Sequence, residues 1–251
     1  MNIQGISAIV TGASSGLGAA SARALAAAGA KVSVFDLNLD GAQAVAAEIG
    51  GQAFKCDVSS EAAAESIDQA AVKHGPARIL VNCAGVATAG KTVGREGPLA
   101  LEAYAKVINV NLIGTFNMLR LCAARMAKLE PVGEERGVII NTASVAAFEG
   151  QVGQIAYAAS KAGVAGMTLP AARDLSQHAI RVMTIAPGIF LTPMMQGMPE
   201  DVQKSLGAQV PFPSRLGQPS EYAALAVHIV ENTMLNGETI RLDGAIRMQP
   251  R

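Results

Sequence analysis

The feature that most constrains this chain is an alternation. Short β-branched apolar runs recur along it, separated by longer Ala-rich stretches with amphipathic spacing, the pattern of strands returned to one parallel sheet by covering helices. Strands are expected near Ser7–Val10, Val32–Asp36, Gln52–Lys55, Ile79–Asn82, Val138–Thr142, Arg181–Ile185 and Thr239–Leu242. Helices are expected near Gly16–Ala28, Leu39–Ile49, Glu61–Lys73, Leu101–Lys128 with a break, Tyr157–His178 and Glu221–Val230. Pro170 lies inside the fifth of these and should kink or open it, since it lacks the helical N–H donor.

The 251 residues read as one domain spanning 1–251. Half of the residues are hydrophobic and only 16% are charged, so a large core can form and still leave apolar surface for subunit contacts or an apolar ligand. Twenty basic residues balance twenty acidic ones without a cationic run, which argues against nucleic acid as the main partner. Cys56, Cys83 and Cys122 lack the spacing of a zinc or redox site and read as reduced core thiols, with no metal expected. The first apolar strand starts at Ile6, and no uncharged apolar run reaches about 18 residues. A soluble cytoplasmic protein with no membrane partner is the expectation.

Directly after the first strand comes TGASSGLG, where Gly12, Ser15, Gly16, Leu17 and Gly18 turn the chain into a helix. Such a turn leaves backbone N–H groups facing outward, ready for a pyrophosphate. The second strand ends at Asp36, 18 residues beyond Gly18, where a carboxylate can accept from both ribose hydroxyls and repel a 2′-phosphate. That selects NAD over NADP as cofactor. CDV at 56–58 and NCAG at 82–85 end the next two strands; Asp57 could accept from an adenine amino group, Val58 could offer its N–H, and Asn82, Ala84 and Gly85 let a ligand pass close. The fold class is therefore α/β, a single-domain Rossmann-type doubly wound parallel sheet of seven strands with helices on both faces.

Two stretches break the βα rhythm. Residues 88–98, TAGKTVGREGP, form a Gly-rich polar insert, and residues 187–219 form a long excursion rich in Pro and Met. Loops of that length in a compact domain tend to carry function.

TGASSGLG, NCAG, Asn111 in NVNLIG, Ser144 in NTASVA, and Tyr157 with Lys161 in YAASK together resemble the short-chain dehydrogenase/reductase family, in order and over essentially the whole chain. The chemistry can also be argued from the residues. Oxidising a secondary alcohol needs a base for the hydroxyl proton, and a free tyrosine with pKa about 10 is a poor one. Lys161 lies one helical turn after Tyr157, so its ammonium should favour the phenolate and lower that pKa. Tyr157 then serves as general base for oxidation and general acid for reduction. The resemblance implies that Lys161 also bonds the nicotinamide ribose, Ser144 holds the substrate oxygen, and Asn111 positions a water that relays protons from Lys161. It likewise implies cofactor contacts from Pro187, Gly188 and Thr192. His74, His178 and His228 follow no strand end and read as structural.

The excursion after APG at 186–188 is where this family closes over substrate, and Phe190, Leu191, Met194, Met195, Met198 and Leu206 make it apolar and adaptable. The same methionines also read as core packing. The rest of the C-terminal segment, AQVPFPSRLGQPSEYAALAVHIVENTMLNGETIRLDGAIRMQP, together with NTASVAAFEGQVGQIAY and the insert, resembles more narrowly the type II 3-hydroxyacyl-CoA dehydrogenase group, also described as type 10 17β-hydroxysteroid dehydrogenases. That resemblance implies a homotetramer in fatty-acid metabolism that oxidises L-3-hydroxyacyl-CoA with NAD and accepts some steroid and branched-chain alcohols. Gln154 would face the substrate, with Phe190, Leu191 and Met195 from the lid, and Lys91 and Arg95 could meet CoA phosphates. The insert reads equally as a solvated loop. Two alternatives stay open: a dehydrogenase of hydroxysteroids or other apolar secondary alcohols, and a cofactor-binding scaffold or sensor.

Overall fold

The structure, a computed structural model, describes residues 1–250, with the side chain of Met194 excepted. In chain order its elements are β1 (Ser7–Thr11), α1 (Gly16–Ala27), β2 (Lys31–Asp36), α2 (Leu39–Ile49), β3 (Gln52–Lys55), α3 (Ala63–His74) and β4 (Ile79–Asn82). There follow β5 (Val93–Gly94), β6 (Gly97–Pro98), α4 (Leu101–Ile108), a π-helical turn (Asn109–Ile113), α5 (Gly114–Met126) and β7 (Gly137–Thr142). The last third holds α6 (Ile155–Ser176), β8 (Ile180–Pro187), α7 (Pro193–Gln196), α8 (Glu200–Ala208), α9 (Pro219–Glu231) and β9 (Thr239–Leu242).

Seven strands form one sheet in the order β3-β2-β1-β4-β7-β8-β9, with every neighbouring pair parallel. The order reverses between β1 and β4, so their C-terminal ends open a crevice of the kind in which ligands of doubly wound sheets bind. All seven expected strands are present, displaced by no more than two residues at an end. Strands covered on both faces must be apolar throughout, and β1, β4, β7 and β8 are buried along their whole length. One face packs against α1, α2 and α9 through Leu25, Val45 and Ile229. The other packs against α3, α5 and α6 through Ile67, Met118 and Ala172.

Pro170 sits inside α6, which continues through it. The N–H it lacks would have bonded the carbonyl of Gly166, four residues earlier. The expected break in the fourth helix is the π turn at Asn109–Ile113, which inserts without interrupting the helical rod. The rod Leu101–Met126 is long and apolar enough to cross a membrane by length and composition alone, yet 56% of its apolar window is buried inside the domain. It behaves as a core helix.

The excursion after β8 departs from expectation, because it holds two helices. The prolines read there as loop formers instead begin them: Pro193 opens α7 and Pro199 caps α8, positions where a missing N–H costs nothing. Phe190 pairs with Gly217 in a parallel bridge, so the two roots of the lid are tied together. The insert forms the small β5–β6 hairpin, and Gly90 bonds Gly153 at 2.8 Å, which brings it beside the start of α6.

A buried ion pair braces the edge opposite the crevice. Glu135, 5% exposed, accepts from Arg181, 6% exposed, at 2.7 Å, and from the ammonium of Met1 at 2.6 Å. Removing one partner of such a group strands the other charges without water. Glu135→Ala is expected to cost about 3–5 kcal/mol, read as a lowered thermal midpoint. An unchanged midpoint would remove this pair from the stabilising interactions.

Candidate active site

At the end of β1 the chain turns through Gly12 and Gly16, whose φ values of 61° and 54° lie in the left-handed region that favours glycine. A Cβ on Gly12 would stand 2.7 Å from the backbone N of Ala84, so the turn lies directly on the NCAG segment. Gly18 abuts the Gly12 carbonyl just as closely. Ser15, the N-cap residue of α1, makes no side-chain cap, and the buried Gly18 and half-buried Leu17 follow it. The helix start therefore keeps uncompensated N–H groups suited to an anion.

Asp36 closes the other side of this turn. Its two carboxylate oxygens accept from the N–H of Ser14 and of Asn38, each at 2.9 Å. This fixes the carboxylate while leaving a lone pair on each oxygen for a diol. Asp57 is exposed, and one of its oxygens is occupied by the Ser59 hydroxyl at 2.7 Å and the Ser59 N–H at 2.9 Å. Val58 is buried, and its carbonyl accepts from Asn117 at 2.8 Å. Asn117 was not visible in the motifs, and Thr11, although it opens TGASSGLG, was given no role; its hydroxyl accepts from Cys83 and Ala84 N–H at 3.2 Å. Both are polar residues holding loops from inside apolar elements, and that is the signal that could have exposed them.

Asn82 and Asn141 are register partners in β4 and β7, and the Asn82 amide donates to the Asn141 carbonyl at 3.0 Å inside the sheet. Asn82 thus ties two strands together, while its own Oδ1 and the Asn141 Nδ2 are buried without a protein partner.

Asn111 occupies the π turn, fully buried. Its carbonyl oxygen accepts from Val86 N–H at 2.8 Å, and its amide donates to the Val86 carbonyl at 2.9 Å and the Ser160 hydroxyl at 3.0 Å. It clamps the end of the β4 loop to α6. A Cβ on Gly85 would lie 3.2 Å from the Asn111 carbonyl oxygen and 3.6 Å from Lys161 Nζ, so the missing side chain keeps open the space between amide and ammonium.

Ser144 caps a short 3-10 turn, accepting from Ala146 N–H at 3.1 Å, which leaves its hydroxyl proton free to donate. Tyr157 and Lys161 face this point from α6, with Lys161 Nζ 5.7 Å from the tyrosine ring centre. The ammonium is buried and donates to the Thr142 carbonyl at 2.7 Å. Burial pushes the Lys161 pKa down to about 8, opposed weakly by Cys83. Burial also pushes the Tyr157 phenol up, opposed by the Ser144 hydroxyl. This corrects the expected lowering by Lys161: its ammonium sits over the ring and is engaged by Thr142, so desolvation decides the tyrosine's protonation in the ligand-free protein.

Beyond β8, Pro187 ends the strand and Gly188 bonds Leu242 at 2.9 Å. A Cβ on Gly16 would meet Pro193 at 3.4 Å and Thr192 at 3.7 Å, so the lid rests on the glycine turn. Leu191 and Met195 are half-buried. Phe190 is placed otherwise than expected: it is 7% exposed and belongs to the core, because the Gly217 backbone leaves room for its ring. Of the methionines, the side chain of Met194 lies outside the described residues.

A cleft of about 390 Å³ runs between the insert and the start of α6, lined by Lys91, Thr92 and Val93 on one side and Gln154, Ile155 and Ala158 on the other. Gln154 lines it while accepting from Gln151 N–H at 3.1 Å. Arg95 is exposed and does not line it. The histidines are remote from this crevice in role: His74 meets Ser33 at 3.2 Å and His228 meets Asn232 at 3.3 Å. No group of acidic, His and Cys residues suited to a metal occurs among the described residues.

A crevice framed by the glycine turn and the Asp36 carboxylate, with a tyrosine–lysine–serine set at its reacting end, defines a hydride-transferring oxidoreductase. The chain belongs to the short-chain dehydrogenase family, whose model matches residues 7–203. It is 54% identical to 3-hydroxyacyl-CoA dehydrogenase type-2 of Bos taurus, over 99% of this chain and 98% of the relative. The protein of that name from Drosophila melanogaster is 52% identical, over 96% and 97%. The crystal structure of 3-hydroxyacyl-CoA dehydrogenase type-2 from Mycobacterium avium superposes with a TM-score of 0.93 at 44% identity, covering 98% of each chain. A nicotinamide dinucleotide is the cofactor such an enzyme uses.

Lys161 makes stability depend on pH in a way that can be isolated. Folded, it releases its proton near pH 8, whereas unfolded it does so near its ordinary 10.5. Between those values the unfolded chain binds more protons, so the wild type gains stability as pH rises. Measured against Lys161→Met, that gain should total a few kcal/mol between about pH 8 and pH 10.5. A constant difference across this window would show that the lysine is not desolvated.

Proposed function

We propose that this enzyme interconverts L-3-hydroxyacyl-CoA and 3-ketoacyl-CoA with NAD as cofactor. The observation that carries the reading is the joining of the insert to the start of α6, which sets a cleft of about 390 Å³, with Lys91 in its lining, beside the catalytic helix. An acyl thioester with a long anionic handle suits it, and near-complete alignment with relatives bearing that name supports the same substrate. Asp36 supports NAD, since its fixed carboxylate matches a ribose diol and would repel a 2′-phosphate. The uncapped start of α1 and the bare Gly12 and Gly18 fit the pyrophosphate.

The bound nicotinamide supplies the hydride acceptor, or in reverse the hydride donor. The chain's own residues handle the proton and the oxygen. Ser144 donates to the substrate oxygen and holds it toward Tyr157. In reduction the neutral phenol, favoured by burial, gives its proton to that oxygen as the carbon gains hydride. In oxidation the phenolate takes the hydroxyl proton as hydride leaves the carbon. Lys161 replenishes or drains the phenol, and the bare Gly85 leaves open the gap between Asn111 and Lys161 through which a water could carry the proton outward.

We also read the enzyme as a homotetramer in fatty-acid metabolism. Ile113 and Phe116 on the α4–α5 rod and Leu169 on α6 are 47%, 51% and 44% exposed, apolar area that a second copy would cover. The unpaired cysteines suit a reducing compartment such as the cytoplasm. Light scattering should give four chains per particle; a monomer at working concentration would end that reading.

The purified protein should consume NADH with acetoacetyl-CoA, and NADPH far more slowly. Tyr157→Phe should lower this turnover by about 10²–10⁴-fold. Reduction of simple ketones or steroids with no response to acetoacetyl-CoA would overturn the substrate, and full activity in Tyr157→Phe would overturn the mechanism.

A further inference from the structure

The ammonium of Lys161 is seated on one protein acceptor, the carbonyl of Thr142. What holds Thr142 lies on the other face of the sheet. Its side chain points, with those of Val138 and Ile140, toward the layer containing α9, whereas Lys161 approaches from α6. There the Thr142 hydroxyl meets the Asn82 carbonyl at 2.5 Å and the Tyr222 phenol at 2.7 Å. Cys83 Sγ stands 3.7 Å from the same phenol and 3.6 Å from the Thr142 hydroxyl. Tyr222 is 0% exposed, so water does not compete for these contacts.

The donors can be assigned by elimination. The Asn82 carbonyl can only accept, so the single Thr142 proton goes there. The Tyr222 hydroxyl therefore donates to Thr142, and the Cys83 sulfur stands within reach of both oxygens. This one-way chain fixes the Thr142 side chain against α9 and, through the short peptide at the end of β7, fixes where its carbonyl points. A phenol buried this deeply needs partners, and a phenylalanine would fill the same space without any. We propose that Tyr222 is a positioning residue for proton transfer, acting through Thr142 to hold the Lys161 ammonium in its working place.

The inference rests on the Tyr157–Lys161 reading but not on the choice of substrate. Three titratable groups bear on the ammonium: Tyr157 on its own helix, Cys83 beyond β4, and Tyr222 through Thr142. A loosened seat supports the charged form less well, so Lys161 should lose its proton at lower pH. In ketone reduction, where the neutral phenol and the ammonium are the active forms, the alkaline limb should move the same way.

The test compares wild type, Tyr222→Phe, Thr142→Val, the double variant and Thr142→Ser. Tyr222→Phe and Thr142→Val are each expected to lower kcat for acetoacetyl-CoA reduction by about 3–10-fold, with KM within about twofold. The limb should move about half a pH unit downward, as partial loss of one charge-assisted hydrogen bond allows. The double variant should do no worse than either single one, and Thr142→Ser should restore the wild-type limb. A wild type that ignores acetoacetyl-CoA fails the substrate reading alone, and the comparison moves to whichever ketone it reduces. Without any substrate, the stability gain due to Lys161, taken against the matching Lys161→Met proteins, should begin about half a pH unit lower in Tyr222→Phe. Should Tyr222→Phe fail to fold, the Thr142 pair carries the same test. A lower melting point with unchanged kcat, limb and onset would reduce Tyr222 to packing, and additive losses in the double variant would separate it from Thr142.

Discussion

The parallel pairing of β1, β4 and β7 is the constraint on which the rest depends. A parallel strand can be followed by another only if the chain crosses back over a face of the sheet, so every crossover begins at the same edge. In this protein that edge receives the glycine turn, Asp36, NCAG, Thr142 and Ser144 together. Apart from Thr142 and Ser144 these groups are far apart in sequence, yet the register Thr11↔Asn82 and Asn82↔Asn141 brings three of their strands to a common end. The site is a by-product of connectivity, and side chains then refine it.

The refinement is largely polar and largely hidden. Asn111, Asn117, Thr11 and Thr142 each use a buried side chain to hold a backbone segment that faces the ligand. Such groups are costly to bury unpaired, and here each is paired. They make the crevice a fixed shape before any ligand arrives, which is what preorganised catalysis requires. The buried ammonium is the exception, since its desolvation is only partly offset by one carbonyl. Instability concentrated at a reacting group is a common trade for function.

Much of this was legible in the sequence, and the reasons differ by level. Strands buried on both faces advertise themselves as apolar runs, so β1, β4, β7 and β8 could be read within two residues, and β2, β3 and β9 followed from their places in the strand–helix alternation. Gly12, Gly16, Asp36, Ser144, Tyr157 and Lys161 could be read because each sits at a fixed offset from a strand end. What escaped were contacts between distant segments. Nothing near Phe190 says that Gly217 will open a slot for its ring, and nothing near Tyr222 says that Thr142 lies opposite. The two lid helices were missed because proline serves both to break a helix and to begin one. The state of Tyr157 was misjudged because spacing places a charge nearby but does not measure how much water is lost.

The π turn at Asn109–Ile113 has a consequence for how this protein can change. An α-helix advances about 100° per residue, so a turn wound one residue wider lets α4 and α5 each present the correct face while Asn111 is thrown inward between them. Deleting any one residue nearby would relax the segment to an ordinary helix with good local geometry. It would also withdraw the amide from Val86 and Ser160 and rotate one flanking helix away from its packing. Along this rod, exposed residue types can drift while the number of residues cannot, so insertions and deletions should be confined to the loops that bound it.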